Sequence, residues 1–376
     1  MRYRPPTITG FGRIPELDGL RGVAILIVML AHLSQKELAP GGFGVTLFFV
    51  VSGFIITRLF FAEVNATGTL SIRNFYVRRF LRLSPALFAS VAAIAGLTIV
   101  LREEFSIVPV IAALTYLKNY QTLFYPDHIG LPLASLGVYW SLAVEEHFYL
   151  MFPPLFLLLA RRPASLAVML TAVLVLVLVW RCILVFDYGV PAPRTYSSSD
   201  TRFDSPLTGA LLATLCLLRD QSKPCRPFTS ILAVAAGLAL LGISLLIRDA
   251  AFRETFRYTI QNVAIALLIF ALLYTPTLSA ARRCLNKGPL FLIGLISYSL
   301  YLWHVPVIYL VKRQMAPGPE AALVATVATL LVGFASWWLL ERGTARLRQR
   351  FGSRTAHPYT GLGARLPLTK AMERAG

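Results

Sequence analysis

Apolar positions fill most of this chain in stretches long enough to cross a bilayer. A helix needs about 20 residues to span a hydrocarbon core of about 30 Å. Candidate spans fall at 19–33, 43–62, 84–101, 106–124, 136–160, 164–186, 205–218, 228–247, 258–280, 288–311 and 321–340, the first and seventh being short. Basic residues sit in the links: Arg2/Arg4/Arg13, Arg73/Arg78/Arg79/Arg82, Arg161/Arg162, Arg219/Lys223/Arg226, Arg282/Arg283/Lys287 and Arg342/Arg346/Arg348/Arg350. If charge places all these links in the cytoplasm, crossings counted from both ends leave one inward passage for two segments between RRFLR and Arg161. Segment 106–124 is the weaker, because Lys118, Asn119 and Tyr120 interrupt it. Irregular backbone at membrane depth is tolerated only against protein or a cavity.

The pattern therefore predicts an all-α polytopic membrane protein of about ten transmembrane helices, plus one re-entrant or surface segment near 106–124. A basic cytoplasmic leader, 1–13, precedes an uncleaved first span. Residues 14–341 are expected to form a single membrane domain, and 342–376, rich in Arg, Gly and Thr, a disordered cytoplasmic tail.

Composition sharpens the class. Of the 376 residues 56% are hydrophobic and only 14% charged, against about 25% charged in soluble domains, and the mean hydropathy is +0.66. The 36 Lys and Arg against 18 Asp and Glu lie in links between spans, so they mark topology and no nucleic-acid partner is expected. Cys182, Cys216, Cys225 and Cys284 have neither metal-ligand nor disulfide spacing, and no metal is expected.

Candidate chemistry lies in the polar residues inside the apolar runs. Arg21 and His32 are eleven residues apart, almost three helical turns, so they share a face about 16 Å apart along the axis. They could be a snorkelling anchor and an interfacial residue, but ionisable residues inside spans are usually functional. In YWSLAVEEHFYLMFPP, residues 139–154, Ser141, Glu145 and Tyr149 share a face at i, i+4 and i+8. These could form a structural polar network. A carboxylate and an imidazole in a partly dry site also make an acid–base pair, which predicts that His32 and Glu145 meet.

Arg78, Arg79 and Arg82 stand at i, i+1 and i+4 just before a span; they either set topology or clamp phosphate through planar guanidinium groups. Arg202 and Asp204, in TRFD, are expected at the outer face as an exposed ion pair or in touch with a polar acceptor. In SYSLYLWHVPVIYL, Tyr298, Tyr301 and Trp303 suit an interfacial belt, whereas His304 lies inside the span and needs a partner. Glu341 is expected to be a boundary residue beside Arg342.

Six ordered motifs, IPELDGLRGVAILIVMLAH, GVTLFFVVSGFIIT, FYVRRFLRLSPAL, WSLAVEEHFYL, TRFDSPLTGALLA and YSLYLWHVP, span essentially the whole chain. Together they resemble the membrane acyltransferase-3 family of bacterial integral-membrane O-acyltransferases. The resemblance implies transfer of an acyl group, commonly acetyl, from cytoplasmic acyl-CoA, a donor substrate rather than a bound cofactor. The acceptor would be a hydroxyl of an extracytoplasmic or lipid-linked saccharide or of a glycosylated small molecule, at the bacterial inner membrane.

The family's arginine–histidine motif falls on Arg21 and His32, its membrane glutamate on Glu145, and its basic element on Arg78, Arg79 and Arg82. His147 replaces a common glutamine, and the proline usual after the last glutamate is missing beyond Glu341. On this reading the three arginines bind CoA phosphates, Arg21 holds the donor chain or its carbonyl, and His32, oriented by Glu145, is general base or transient acyl carrier. Ser141, Tyr149, Arg202, Asp204, Tyr301 and His304 are candidate substrate contacts. Two other classes fit intramembrane charges: a transporter or flippase of a lipid-linked sugar, and a haem site on His32 and His304.

Overall fold

The structure is a computed structural model that describes residues 14–34, 40–124, 133–219, 227–274 and 278–351. Every regular element among them is helical. Helix α1 (Pro15–Leu33) opens with proline in its first turn, and Glu16 and Asp18 there complement the helix dipole. Helix α2 (Gly41–Thr67) stops at Gly68, whose φ of 81° only glycine adopts without strain. Ser71 caps α3 (Ile72–Val100) by accepting a hydrogen bond from the Asn74 amide. After the short helices α4 (Val108–Leu114) and α5 (Lys118–Phe124), a 3-10 turn at Leu133–Tyr139 leads into α6 (Trp140–Leu159). Helix α7 (Pro163–Cys182) ends in a π turn, and α8 (Ala192–Ser197) and α9 (Ser199–Arg202) join it to α10 (Asp204–Leu218). Then follow α11 (Pro227–Leu246), α12 (Ala250–Glu254), α13 (Phe256–Tyr274), α14 (Ser279–Asn286), α15 (Pro289–Leu295), α16 (Ser297–Gln314), α17 (Pro319–Ser336), a π turn at Trp337–Glu341, and α18 (Ala345–Gln349).

Seven of these helical stretches are long and apolar enough to cross a membrane, and an eighth is if α15 and α16, bent by 82°, act together. Helix α1 carries Glu16, Asp18 and Arg21, and α10 has only 15 residues. Both are nonetheless packed inside the bundle, α10 against α2 and α1 against α2 and α15. Glycines allow these approaches. A Cβ on Gly53 would come 1.8 Å from the Pro206 carbonyl oxygen, and one on Gly294 1.8 Å from that of Asp18. Small residues let helix backbones close together where lipid gives no hydrophobic drive between them.

Side-chain contacts sort the helix ends into two sets. At one end Glu16 meets Asn286, Glu63 meets Arg78, and Arg78 donates to the Phe351 carbonyl. At the other, Glu103 pairs with Arg313 and Lys312 donates to the His32 carbonyl. Segment 106–124 divides into two seven-residue helices, each about 10 Å long, too short to span. Its break at Tyr116, with φ of 57°, dips back into the bundle: the hydroxyl reaches Ser84 of α3 and the backbone reaches His147 of α6. The segment therefore does not span and is packed against the bundle, as the expectation of a re-entrant or surface segment requires. The stretch beyond Arg342, expected to be disordered from its composition, is helical over Ala345–Gln349, and α18 packs against α3. The leader 1–13 and residues 352–376 lie outside the described residues.

Candidate active site

Charged side chains from α1, α3, α6 and the turn after α17 converge inside the bundle near the Arg78 end. Arg79 lies between two carboxylates, 3.6 Å from Glu145 and 3.2 Å from Glu146, with its guanidinium 3.1 Å over the Tyr149 ring. Glu145 also accepts from the hydroxyls of Tyr149 and of Ser52 on α2. Glu341, expected at a boundary, is buried instead, takes a 2.7 Å hydrogen bond from Ser299, and faces Arg21, Arg82 and Arg348 electrostatically.

Arg21 and Arg82 differ from Arg79. They feel each other's charge, and Arg21 also feels those of Asp18, Glu145 and Glu341, yet neither makes a hydrogen bond or close ion pair among the described residues. Both are partly rather than fully buried. Two guanidinium groups near enough to feel each other's charge, with open donors, are chemically suited to an anion or a polarised carbonyl.

The expected three-arginine clamp is thus divided. Arg78 and Arg82 share a face one turn apart, but Arg78 is tied to Glu63 at 3.3 Å and to the Phe351 carbonyl at 2.7 Å. Arg79, about 100° round the helix, turns to α6. Arg82 alone of the three has its donors open.

His32 lies toward the other end of α1. Its Nδ1 hydrogen-bonds the Val28 carbonyl at 2.9 Å, which makes Nδ1 the protonated nitrogen and leaves Nε2 as the base. Its ring meets that of His304 edge to face, with 4.9 Å between centroids. His304 is fully buried, bonds the Tyr301 carbonyl through Nδ1 at 2.7 Å, and has no partner at Nε2 among the described residues. The Tyr301 hydroxyl is 2.6 Å from Ser141 Oγ and donates to the Val138 carbonyl at 2.9 Å. Ser141 and Tyr149, which share a face, thereby serve different partners, Tyr301 and Glu145.

His32 and Glu145 are not brought together. Glu145 is held by Arg79, Tyr149 and Ser52 at the level of Arg21, three helical turns from His32. Arg79 is nearer and brings a fixed cation to Glu145 at 3.6 Å. The direct contact of the two imidazoles also leaves no room for a macrocycle between them, so the pair does not fit a haem. Among the described residues no group of three or more His, Cys, Asp or Glu could hold a metal ion.

The Arg202–Asp204 pair is corrected twice. Both residues are buried, at 0% and 2% exposure, and Asp204 pairs at 2.6 Å with Arg181 of α7. Arg202 instead donates to Thr46 at 2.8 Å and lies 4.1 Å over the Tyr258 ring. Arg181, a single cation at the end of VLVLVWRC, is what the sequence reading missed; its signal was an arginine deep in an apolar run.

A family model described as an acyltransferase domain matches residues 14–342. Similar chains include the O-acetyltransferase OatA of Staphylococcus aureus, 32% identical over 335 residues, 85% of this chain and 54% of that one. The peptidoglycan O-acetyltransferase OatA of Listeria monocytogenes is 30% identical over 346 residues, 87% of this chain and 55% of that one. The chain therefore spans about half the length of these relatives. No solved structure matches it. With a family model covering nearly the whole membrane domain, and relatives of the same kind along most of its length, the chain belongs to the membrane acyltransferase-3 family.

Proposed function

We propose that this protein is an O-acyltransferase that moves an acyl group, acetyl in the simplest case, from cytoplasmic acyl-CoA to a hydroxyl of an extracytoplasmic or lipid-linked saccharide or glycosylated small molecule. One observation carries the reading: α1 holds an open guanidinium, Arg21, and three turns along the same face an imidazole with a free Nε2, His32. Arg82 stands beside the first and His304 beside the second. The proposal assigns donor recognition to one end of this helix face and acyl acceptance to the other.

Ten crossings, with α1 and α10 among them and α4–α5 re-entrant, put the Arg78 end in the cytoplasm, both termini there, and the Arg313 end outside. This follows from the basic links gathering at the first end. Arg82 and Arg21 then meet the anionic donor as it enters, and Arg79 is already neutralised by Glu145 and Glu146. In direct transfer His32 Nε2 takes the proton of the acceptor hydroxyl, whose oxygen bonds the acyl carbon as the carbon–sulfur bond breaks. The thiolate then leaves and recovers the proton. In the two-step route Nε2 first carries the acyl group. Glu145 acts through Arg79 in both, in place of the direct contact with His32 that its sequence position suggested.

Membranes containing the protein, given radiolabelled acetyl-CoA and a saccharide acceptor fraction, will label the acceptor. Arg21→Ala and Arg82→Ala will raise the KM for acetyl-CoA about tenfold or more with a smaller change in kcat, the signature of lost donor binding. A change confined to kcat would oppose the assignment, and transport of an unmodified lipid-linked sugar without labelling would favour a flippase.

A further inference from the structure

A second group of polar side chains lies on another side of α6. His147 is two positions from Glu145, about 200° around the helix, and faces segment 106–124 and α9. Its Nδ1 is 2.7 Å from Ser199 Oγ, which also receives a 2.9 Å hydrogen bond from Asn119 Nδ2. The His147 ring meets the Tyr116 backbone and stacks on Tyr120 at 6.2 Å. Ser199 and Asn119 are buried, while His147 is half-buried and gives one open side. Two more buried atoms here, Asn119 Oδ1 and Ser198 Oγ, have no partner among the described residues. Such atoms are rare in folded proteins, and a water, a ligand or a reacting group satisfies them.

The direction of this chain matters. With Asn119 donating to Ser199 Oγ, the hydroxyl proton has one acceptor in reach, His147 Nδ1. The reverse proton arrangement at His147 would leave a buried hydroxyl proton unbound. A serine that donates to an imidazole, itself held by a third group, has the arrangement of an activated nucleophile.

We propose that Ser199 and His147 are a nucleophile–base pair, positioned by Asn119 and the Tyr116 backbone, through which the acyl group passes as a serine ester. The proposal rests on the acyltransferase reading above. His147 Nδ1 takes the Ser199 proton as Oγ bonds the acyl carbon of the thioester; the carbon–sulfur bond breaks, and the thiolate leaves and takes a proton from water. The acceptor hydroxyl then gives its proton to His32 Nε2 and bonds the acyl carbon, Ser199 Oγ departs with the proton held on His147, and His32 returns its proton to water.

The test uses the purified full chain in detergent with phenylmethanesulfonyl fluoride, mapped by mass spectrometry, and in parallel with radiolabelled acetyl-CoA. The expected results are a sulfonyl adduct on Ser199 in the unaltered protein, and an alkali-labile acetyl ester on the same peptide. Ser199→Ala abolishes both, and His147→Gln, which keeps a polar side chain there, slows the adduct by about 100-fold or more. No adduct, no ester, or an equal rate in His147→Gln overturns the proposal and makes the contact structural. The unaltered protein alone can give the first two of these results, so misfolded variants leave the test intact. His32→Ala separates the two ideas. Lost transfer with an unlabelled Ser199 sinks the serine alone, whereas retained transfer with a labelled Ser199 sinks the role of His32 alone.

Discussion

At the residue scale, the arginines of α3 are distinguished by what satisfies them. Arg79 is only 13% exposed and is held by two carboxylates and an aromatic face. Removing it leaves Glu145 and Glu146 without their cation inside the bundle, so Arg79→Ala is expected to cost about 3 kcal/mol. Arg78 is more open, and its partner Glu63 keeps the Ser71 amide at 2.9 Å. Arg78→Ala is therefore expected to cost about 1 kcal/mol or less. Thermal unfolding in micelles checks the order, and an equal loss in both variants would contradict it. The sequence made the candidate residues visible, since an arginine and a histidine in one apolar run are costly to leave there without use. It did not make their partners visible. Spacing along a helix gives the face and height of a side chain, not which neighbouring helix it meets. Glu145 was therefore matched to His32 although Arg79 of α3 is its ion-pair partner, and Asp204 was matched to the adjacent Arg202 although Arg181 of α7 takes that place.

At the element scale, α1 and α10 explain why some helices were easy to recognise and others difficult. Helix α2 is apolar over 27 residues and reads as a span at once. Helices α1 and α10 are short or charged because protein, rather than lipid, surrounds much of them; the crossings of Gly53 with α10 and Gly294 with α1 show how close that contact is. Gly53→Val is expected to abolish the monodisperse folded protein on size-exclusion chromatography, whereas Gly242→Ala, whose Cβ would meet nothing within 4 Å, leaves it intact. A normal elution profile for Gly53→Val would refute the close crossing. The break in segment 106–124 was legible because Lys118 and Asn119 interrupted its apolar run; the burial of both at 0% exposure, and the contact of Asn119 with Ser199 of α9, were not.

At the scale of the whole molecule, the two sets of helix ends are the inside and the outside of the orientation proposed above. In a cysteine-free background, Tyr188→Cys, at a 70% exposed position beyond α7, is expected to react in intact cells with a membrane-impermeant maleimide. Arg346→Cys on α18 is expected to react only after permeabilisation, and the reverse pattern would invert the orientation proposed. The central claim is that the acyl group is handed over at His32, three turns from the arginine that meets its donor. The most direct measurement is acetyl transfer from radiolabelled acetyl-CoA to the saccharide fraction by membranes carrying His32→Ala, at a protein level matched to the unaltered chain. A loss of about 100-fold or more, with acetyl-CoA binding retained, is the result this account predicts; transfer at the unaltered rate would contradict it.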